Sequence, residues 1–506
     1  MAKPAYLIGV DIGTQGTKVA LVDGGDGRVA ARATIPSRLI RMSGGAVEQD
    51  PAEMLQSVLD GIRQVMERAQ ADPSSVMAIG IDGQMAGIMG IDENHEPVTP
   101  YDSWLDTRCE AYMPLMKSIG EERFIAVTGA PVTYAHGPKV LWWKHERPEA
   151  FRRIRKFVVP SAFVAGTLAG LAGEDAYVDY TYLHFSGFCD VNAKRWSEEL
   201  LKEFGVDASK MPRIVSPWDV IGHLTPAYAD RCGLRAGIPI VAGCGDTAAT
   251  AFGAGIVAKG MMFDVAGTAS ILTFCTDRYA PDTVSKTFLY ARSVIDGLWA
   301  PLAYINGGGE CLSWFRNQAE GEGASFDGLN EGAARIPPGS NGLYFVPHFG
   351  GRVCPNNPHL RGSWVGLNWS HDKYAMYRAI LESIAYEYKQ YYDTIRRLAP
   401  ETSFSQVTAI GGGSRSALFN SIKAHVLGVP WTTLTTGDTA LLADAVIAGY
   451  GIGYFGNLEE AIRRYIEIGE RFEPDAGMHE MYLKYAESYQ ILLDRLTDLY
   501  PLLHMS

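Results

Sequence analysis

The chain has 506 residues, of which 47% are apolar and 20% charged, with a formal net charge of −12. That length exceeds what one hydrophobic core supports, so at least two domains are expected, and the composition is that of a globular chain. The acidic balance, with no dense Lys/Arg run, argues against nucleic acid or an anionic membrane as the main partner.

From the start of the chain, YLIGVDIGTQGTKVALVD (residues 6–23) reads as two apolar runs joined by a Gly-Thr turn, a tight β-hairpin. A strand follows at 29–35. Asp50 and Pro51 form a capping pair before a helix at about 52–69, whose apolar face carries Met54, Leu55, Val58, Leu59, Ile62, Val65 and Met66. Residues 76–81 read as a buried strand, DGQMAG (82–87) as a turn, and 88–91 as a further short strand. The β-β-β-α-β order predicts a mixed sheet rather than a pure dinucleotide fold. Helices dominate from about 105 to 235, clearest at 137–146 and 161–171. A strand at 239–243 and a small-residue helix at 246–254 then close the first half.

Just past the midpoint, GMMFDVAGTASILTFC (260–275) repeats the hairpin pattern of the start. A duplicated domain is the economical reading, with a boundary near Ile256 giving domains 1–255 and 256–506. The second half is expected to hold helices at 374–398, 416–426 and 439–450, and a long helical tail from about 458 to the end. Gly-Thr turns carry no bulky side chain, so their N–H groups and hydroxyls can meet a phosphate closely. Two such turns suggest a nucleotide held from both sides of a shared cleft, with a hinge between the halves.

Seven scattered cysteines without a C-x-x-C pair fit free thiols in a reducing cytoplasm, and no apolar stretch reaches membrane-spanning length. The expectation is a cytoplasmic protein without a secretory leader. Among the charged residues, Asp246 follows a strand and a Gly-x-Gly bend and opens a helix. It is either an N-cap or a proton acceptor. Asp11 ends an apolar strand, where a charge needs a partner.

The ordered set GVDIGTQGTK (9–18), GQM (83–85), WLDTR (104–108), GCGDTAATAFGAG (243–255), DVAGTAS (264–270), NGGGECLSWF (306–315) and GGGSRSALF (411–419) resembles the FGGY family of carbohydrate kinases over residues 6–455. The resemblance implies an α/β fold of two actin-like, ribonuclease H-like ATPase domains around a central cleft. It also implies ATP-dependent phosphorylation of a sugar hydroxyl with Mg²⁺, the acceptor being a ketopentose such as D-xylulose or another polyol or ketose.

On that resemblance Asp246 is the catalytic base and Asp11 faces the metal. Thr14, Gln15, Thr17, Lys18, Gly267 and Thr268 surround the phosphates. Gly309, Gly412, Gly413 and Ser416 border the rest of the nucleotide. The sugar side falls to Gln84, Met85, Trp104, Asp106, Arg108, Tyr134 and Thr247. Xylulose-type members read S-G-Q-M-H-G where this chain has Asp82 and Ala86, which makes those two positions candidate determinants of sugar choice. A small sugar and ATP are the expected partners, with homodimerisation left open. An actin- or chaperone-like ATPase and a non-catalytic sugar sensor remain the rival readings.

Overall fold

The computed structural model describes residues 5–503 and divides into two compact units. The first unit comprises the chain up to Val257 together with Tyr290–Leu298 and Thr436–Ile466. Its six-stranded sheet runs, edge to edge, Val220–His223, Pro239–Val241, Val76–Gly83, Tyr6–Ile12, Gly16–Asp23 and Val29–Pro36. Tyr6–Ile12 and Gly16–Asp23 form the expected hairpin, closed by a hydrogen bond from the Gly13 amide to the Gly16 carbonyl. Tyr6–Ile12 also runs parallel to Val76–Gly83, with Asp11 beside Asp82, and Ile240 pairs in parallel with Ile79.

Both faces of this sheet are covered. The Pro51–Ala69 helix starts on an Asp50 cap that accepts from the Ala52 amide, and buries Met54, Val58, Leu59, Ile62, Val65 and Met66. The Thr439–Gly451 helix covers strands Tyr6–Ile12 and Val76–Gly83 at backbone distance. A β-carbon on Gly9 would stand 2.1 Å from the Leu441 carbonyl oxygen, and one on Gly80 2.3 Å from that of Asp444. Only glycine permits this approach. A separate apolar core, including Phe124, Leu141, Phe157, Phe188, Leu201 and Phe204, sits in the helix-rich insertion.

The second unit comprises Ala258–Leu289, Trp299–Thr435 and the chain from Glu467 onward. Its sheet carries the order Trp299–Ile305, Ser270–Phe274, Met261–Ala266, Gln406–Ile410, Trp431–Leu434 and Ile468–Phe472. The plan repeats that of the first unit: a hairpin whose leading strand runs parallel to a later one, here Met261–Ala266 beside Gln406–Ile410. The 26-residue Lys373–Leu398 helix is buried along most of its length. It is tied down through Glu382, which accepts from Arg378 and Tyr482, and through Glu387, which accepts from Arg352 and Tyr489 and bonds His348.

Two expectations change. The tail is not one helical run: Leu458–Tyr465 is followed by the strand Ile468–Phe472, antiparallel to Trp431–Leu434, and then by the helix Ala476–Leu503. The single cut near Ile256 also gives way to discontinuous units, because Thr436–Ile466 packs with the first one. Among the described residues no helix is long and apolar enough to cross a membrane, and all seven cysteines are buried.

Candidate active site

Three parallel strands of the first unit end side by side, and the acidic candidates stand at those ends. Asp11 lies one residue before the end of Tyr6–Ile12. Gly83 ends the neighbouring strand and bridges to Gly245, directly before Asp246. The Gln84 amide donates to the Ile12 carbonyl, which locks the next turn to the first strand. Met85 lies over Gly245, where a β-carbon would stand 2.5 Å from its methyl group. The carboxyl ends of parallel strands are where α/β sheets receive ligands, because the chain turns away there and leaves main-chain groups unpaired.

Asp246 opens the Asp246–Gly253 helix and is half-buried. Its Oδ1 accepts from the Thr247 amide at 2.6 Å and the Thr247 hydroxyl at 3.1 Å. Burial, and then the charge of Asp11, raise its pKa to about 7 against the opposing Thr247 hydrogen bonds and Lys18. A carboxyl balanced there can take a proton at neutral pH. Asp11, 7% exposed, holds the Lys18 ammonium at 2.7 Å. Lys18 and Gln15 are exposed on the hairpin.

The sugar-side candidates fall into two groups. Trp104 is 44% exposed, and its indole N–H donates to the Thr14 hydroxyl. That hydroxyl donates in turn to Gln84, whose amide donates to Gln49. Thr14, Gln84 and Trp104 are therefore one hydrogen-bonded unit, with Gln84 itself buried. Tyr134, Met85 and Ala86 are half-buried. Ala86 adopts φ 58°, a left-handed conformation that strains any residue with a β-carbon.

The second group is engaged in internal pairs. Asp106 is fully buried, accepts from the Val47 amide and pairs with Arg108. The Arg108 guanidinium is shared among Asp106, Asp102 and Glu48 at 2.7–2.8 Å and lies over the Trp142 ring. Thr17 is buried against the Ser57 hydroxyl at 2.6 Å, so its own hydroxyl is engaged.

Asp82 has no exposed surface. It faces Asp444 of the Thr439–Gly451 helix, and no hydrogen bond of normal geometry reaches any of the four oxygens. Burial first, then neighbouring carboxylates, push both well above the usual carboxylate range. Such a pair is resolved when one member keeps its proton and donates it to the other.

The second unit supplies the remaining nucleotide-side candidates. Gly267 and Thr268 form the hairpin turn, where the Gly267 amide donates to the Ala269 carbonyl and Thr268 is exposed. Gly309 lies against that turn: a β-carbon there would stand 1.8 Å from the Gly267 carbonyl oxygen. Gly411 (φ 89°) and Gly413 press on Ala266 from the other side, while Gly412 faces open space. The three glycine segments thus converge on one turn. Ser416 caps the Ala417–Leu427 helix through the Phe419 amide and donates to Asn330.

Asp444, Lys139 and Thr181 were not legible as site residues in the sequence. Lys139 ties three loops together, and Thr181 accepts from the Gly245 amide while donating to Asp179. For Asp444 a signal exists: it interrupts the otherwise apolar TALLADAVIAGYG helix, where a lone charge needs an explanation.

For a divalent cation, Asp11 is a hard oxygen donor beside the Lys18 ammonium, and Mg²⁺ typically uses one or two protein carboxylates and completes its shell with water and phosphate; among the described residues no group of three or more His, Cys, Asp or Glu side chains is placed to hold a metal.

The N-terminal domain of the FGGY family of carbohydrate kinases matches residues 6–253, and the C-terminal domain matches residues 263–452. The chain is 26% identical to a xylulose kinase of Bacillus subtilis, over 98% of both chains. It is also 26% identical to a gluconokinase of the same organism, over 89% of this chain and 88% of the relative. Its fold is similar to the crystal structure of xylulose kinase from Rhodospirillum rubrum, with a TM-score of 0.89 at 25% identity over 98% of this chain and 99% of that one.

Proposed function

The chain belongs to the FGGY family of carbohydrate kinases, phosphotransferases with an alcohol acceptor, and on that premise we propose that its acceptor is an uncharged ketose or polyol, D-xylulose first. Relatives of equal identity carry the names xylulose kinase and gluconokinase, so sequence distance does not choose between a neutral sugar and a sugar acid.

The observation that favours the neutral sugar is the disposition of cations around the sugar-side candidates. A sugar acid brings a carboxylate that needs a cation or several donors. Arg108 is already divided among three carboxylates, the Lys139 ammonium is spent on three carbonyls, and Lys18 is paired with Asp11. Asp11 and Asp246 add negative charge, which opposes a second anion.

In the proposed reaction the acceptor hydroxyl gives its proton to Asp246 as its oxygen bonds to the terminal phosphorus of ATP, and the bond to the ADP oxygen breaks in line. Thr247 holds the accepting carboxyl in place through two hydrogen bonds. Trp104 presents a ring face, and its tie to Thr14 fixes that ring. Asp11 would hold Mg²⁺, which would supply charge neutralisation for the phosphates. The exposed Thr268 of the second hairpin turn and the neighbouring glycine segments are proposed to receive the nucleotide.

The test is ADP release with D-xylulose, other ketopentoses, pentitols, glycerol and D-gluconate. Turnover with a neutral sugar and none with gluconate is expected. Preferential turnover of gluconate overturns the substrate reading. Turnover without any sugar would point to an ATPase, and binding without turnover to a sensor.

A further inference from the structure

Lys139 lies in the first unit on the His136–Glu146 helix and is 1% exposed. Among the described residues it enters no ion pair. It donates instead to three main-chain carbonyls: Tyr134 at 2.7 Å, Ser103 at 2.8 Å and Ala86 at 3.3 Å. An ammonium has three donors, so its capacity is filled. Burying a charge without a carboxylate in contact is costly, and an apolar side chain of similar length would fill the same space without that cost. Burial lowers the Lys139 pKa, and Cys109, Asp102 and Asp106 oppose it. What the ammonium adds is a three-way tie between segments that are distant in sequence.

Each tied segment carries one of the accessible sugar-side candidates. Ala86 follows Met85 and holds the strained φ of 58°. Ser103 precedes Trp104, and the third carbonyl belongs to Tyr134 itself. Asp106 and Arg108, by contrast, are occupied with each other and with Glu48 and Asp102. We propose that Lys139 is a positioning residue that holds the main chain at Met85–Ala86, Trp104 and Tyr134 as one sugar-binding surface without touching the sugar. The identity of the bound molecule rests on the sugar-kinase reading above; the three-way tie does not.

The experiment uses the full chain and three variants. Lys139→Met keeps length and removes every donor. Lys139→Gln keeps one amide group able to serve two carbonyls. Leu141→Ala opens a cavity in the core of the same helix and serves as a matched destabilisation. Hydrogen exchange around residues 85–88, 103–105 and 134–136 is expected to quicken at least tenfold in Lys139→Met, less in Lys139→Gln, and not selectively in Leu141→Ala. With D-xylulose as the probe, KM should rise at least tenfold in Lys139→Met while the KM for ATP stays within about twofold. Equal exchange in the Met and Ala variants, or parallel loss of both substrates, overturns the proposal. If the Met variant does not fold, the Gln variant takes its place in both measurements. If the native protein does not phosphorylate D-xylulose, the substrate reading fails, and the exchange comparison still decides the role of Lys139.

Discussion

Trp104 and Thr14, 90 positions apart in sequence, are joined by a 2.9 Å hydrogen bond from the indole N–H to the hydroxyl. The exposed ring of one loop is thereby fixed to the turn of the first hairpin. Thr14 was expected to serve phosphate and Trp104 to serve sugar, and the bond makes them one structural unit. Trp104→Phe keeps a ring and loses the bond, whereas Trp104→Ala loses both. Steady-state kinetics should show the sugar KM rising about tenfold for the Ala variant, equivalent to about 1.4 kcal/mol, and less for the Phe variant. An unchanged sugar KM in both would remove Trp104 from recognition.

Asp246→Asn preserves shape and removes the proton acceptor. A loss of roughly 10²–10⁴ in kcat is expected, with binding of ATP and sugar retained by calorimetry. Near-native kcat would reduce Asp246 to a helix-opening residue.

The same carboxyl sets a pH dependence. With its pKa at about 7, activity should fall as pH drops below that value and level off above it. For stability the sign runs the other way. A raised acid binds more protons folded than unfolded between the ordinary 3.8 and about 7, so its contribution to stability declines as pH rises through that window. Asp246→Asn is expected to be more stable than the native chain at pH 8 and equal to it near pH 3, as read by denaturant titration.

Asp82 and Asp444 make a prediction about charge rather than shape. If one member keeps its proton, Asp82→Asn supplies an amide donor in place of the acid and leaves folding and sugar ranking nearly unchanged. Asp82→Ala removes that donor and leaves Asp444 buried alone, costing about 1–3 kcal/mol in denaturant unfolding. A large loss of sugar affinity in a well-folded Asp82→Asn variant would instead place Asp82 in substrate recognition.

Glu387 has the opposite sign. Burial raises its pKa, but Arg352 and then His348 outweigh that and bring it from 4.5 to about 2. Its stabilisation is complete above 4.5 and is lost as pH falls toward 2. Glu387→Gln should cost about 3–5 kcal/mol at pH 7, because it leaves the Arg352 charge buried without its partner. Little loss at pH 7 would show that the ion pair contributes no net stability.

The features written in local sequence were the ones legible beforehand. Both hairpins follow from apolar runs flanking a Gly-Thr turn, and the Pro51–Ala69 helix from its Asp50-Pro51 start and 3.6-residue periodicity. What stayed hidden depends on partners far along the chain. Thr17 looks like a phosphate ligand until Ser57 takes its hydroxyl, and Arg108 looks like a sugar ligand until Glu48 and Asp102 close on it. The strand Ile468–Phe472 leaves no strand signal in the sequence because, at a sheet edge, it is mostly exposed and shows no buried alternation. The return of Thr436–Ile466 to the first unit is written in glycines such as Gly9 and Gly80, whose missing side chains say that something approaches closely but not what.

That return has a consequence for how the protein is made. Synthesis proceeds from the N-terminus, yet the sheet begun by Tyr6–Ile12 lacks its Thr439–Gly451 covering until nearly nine-tenths of the chain has emerged. A nascent fragment ending at Val257 therefore displays Leu7, Ala20, Val22, Ala78 and Val241 without the Leu441, Leu442, Ala445 and Val446 that bury them. Its glycine-lined strands offer a greasy, nearly flat landing surface to any passing hydrophobic segment. The N-terminal half is begun first and finished late, and in the interval that apolar face lacks its own covering.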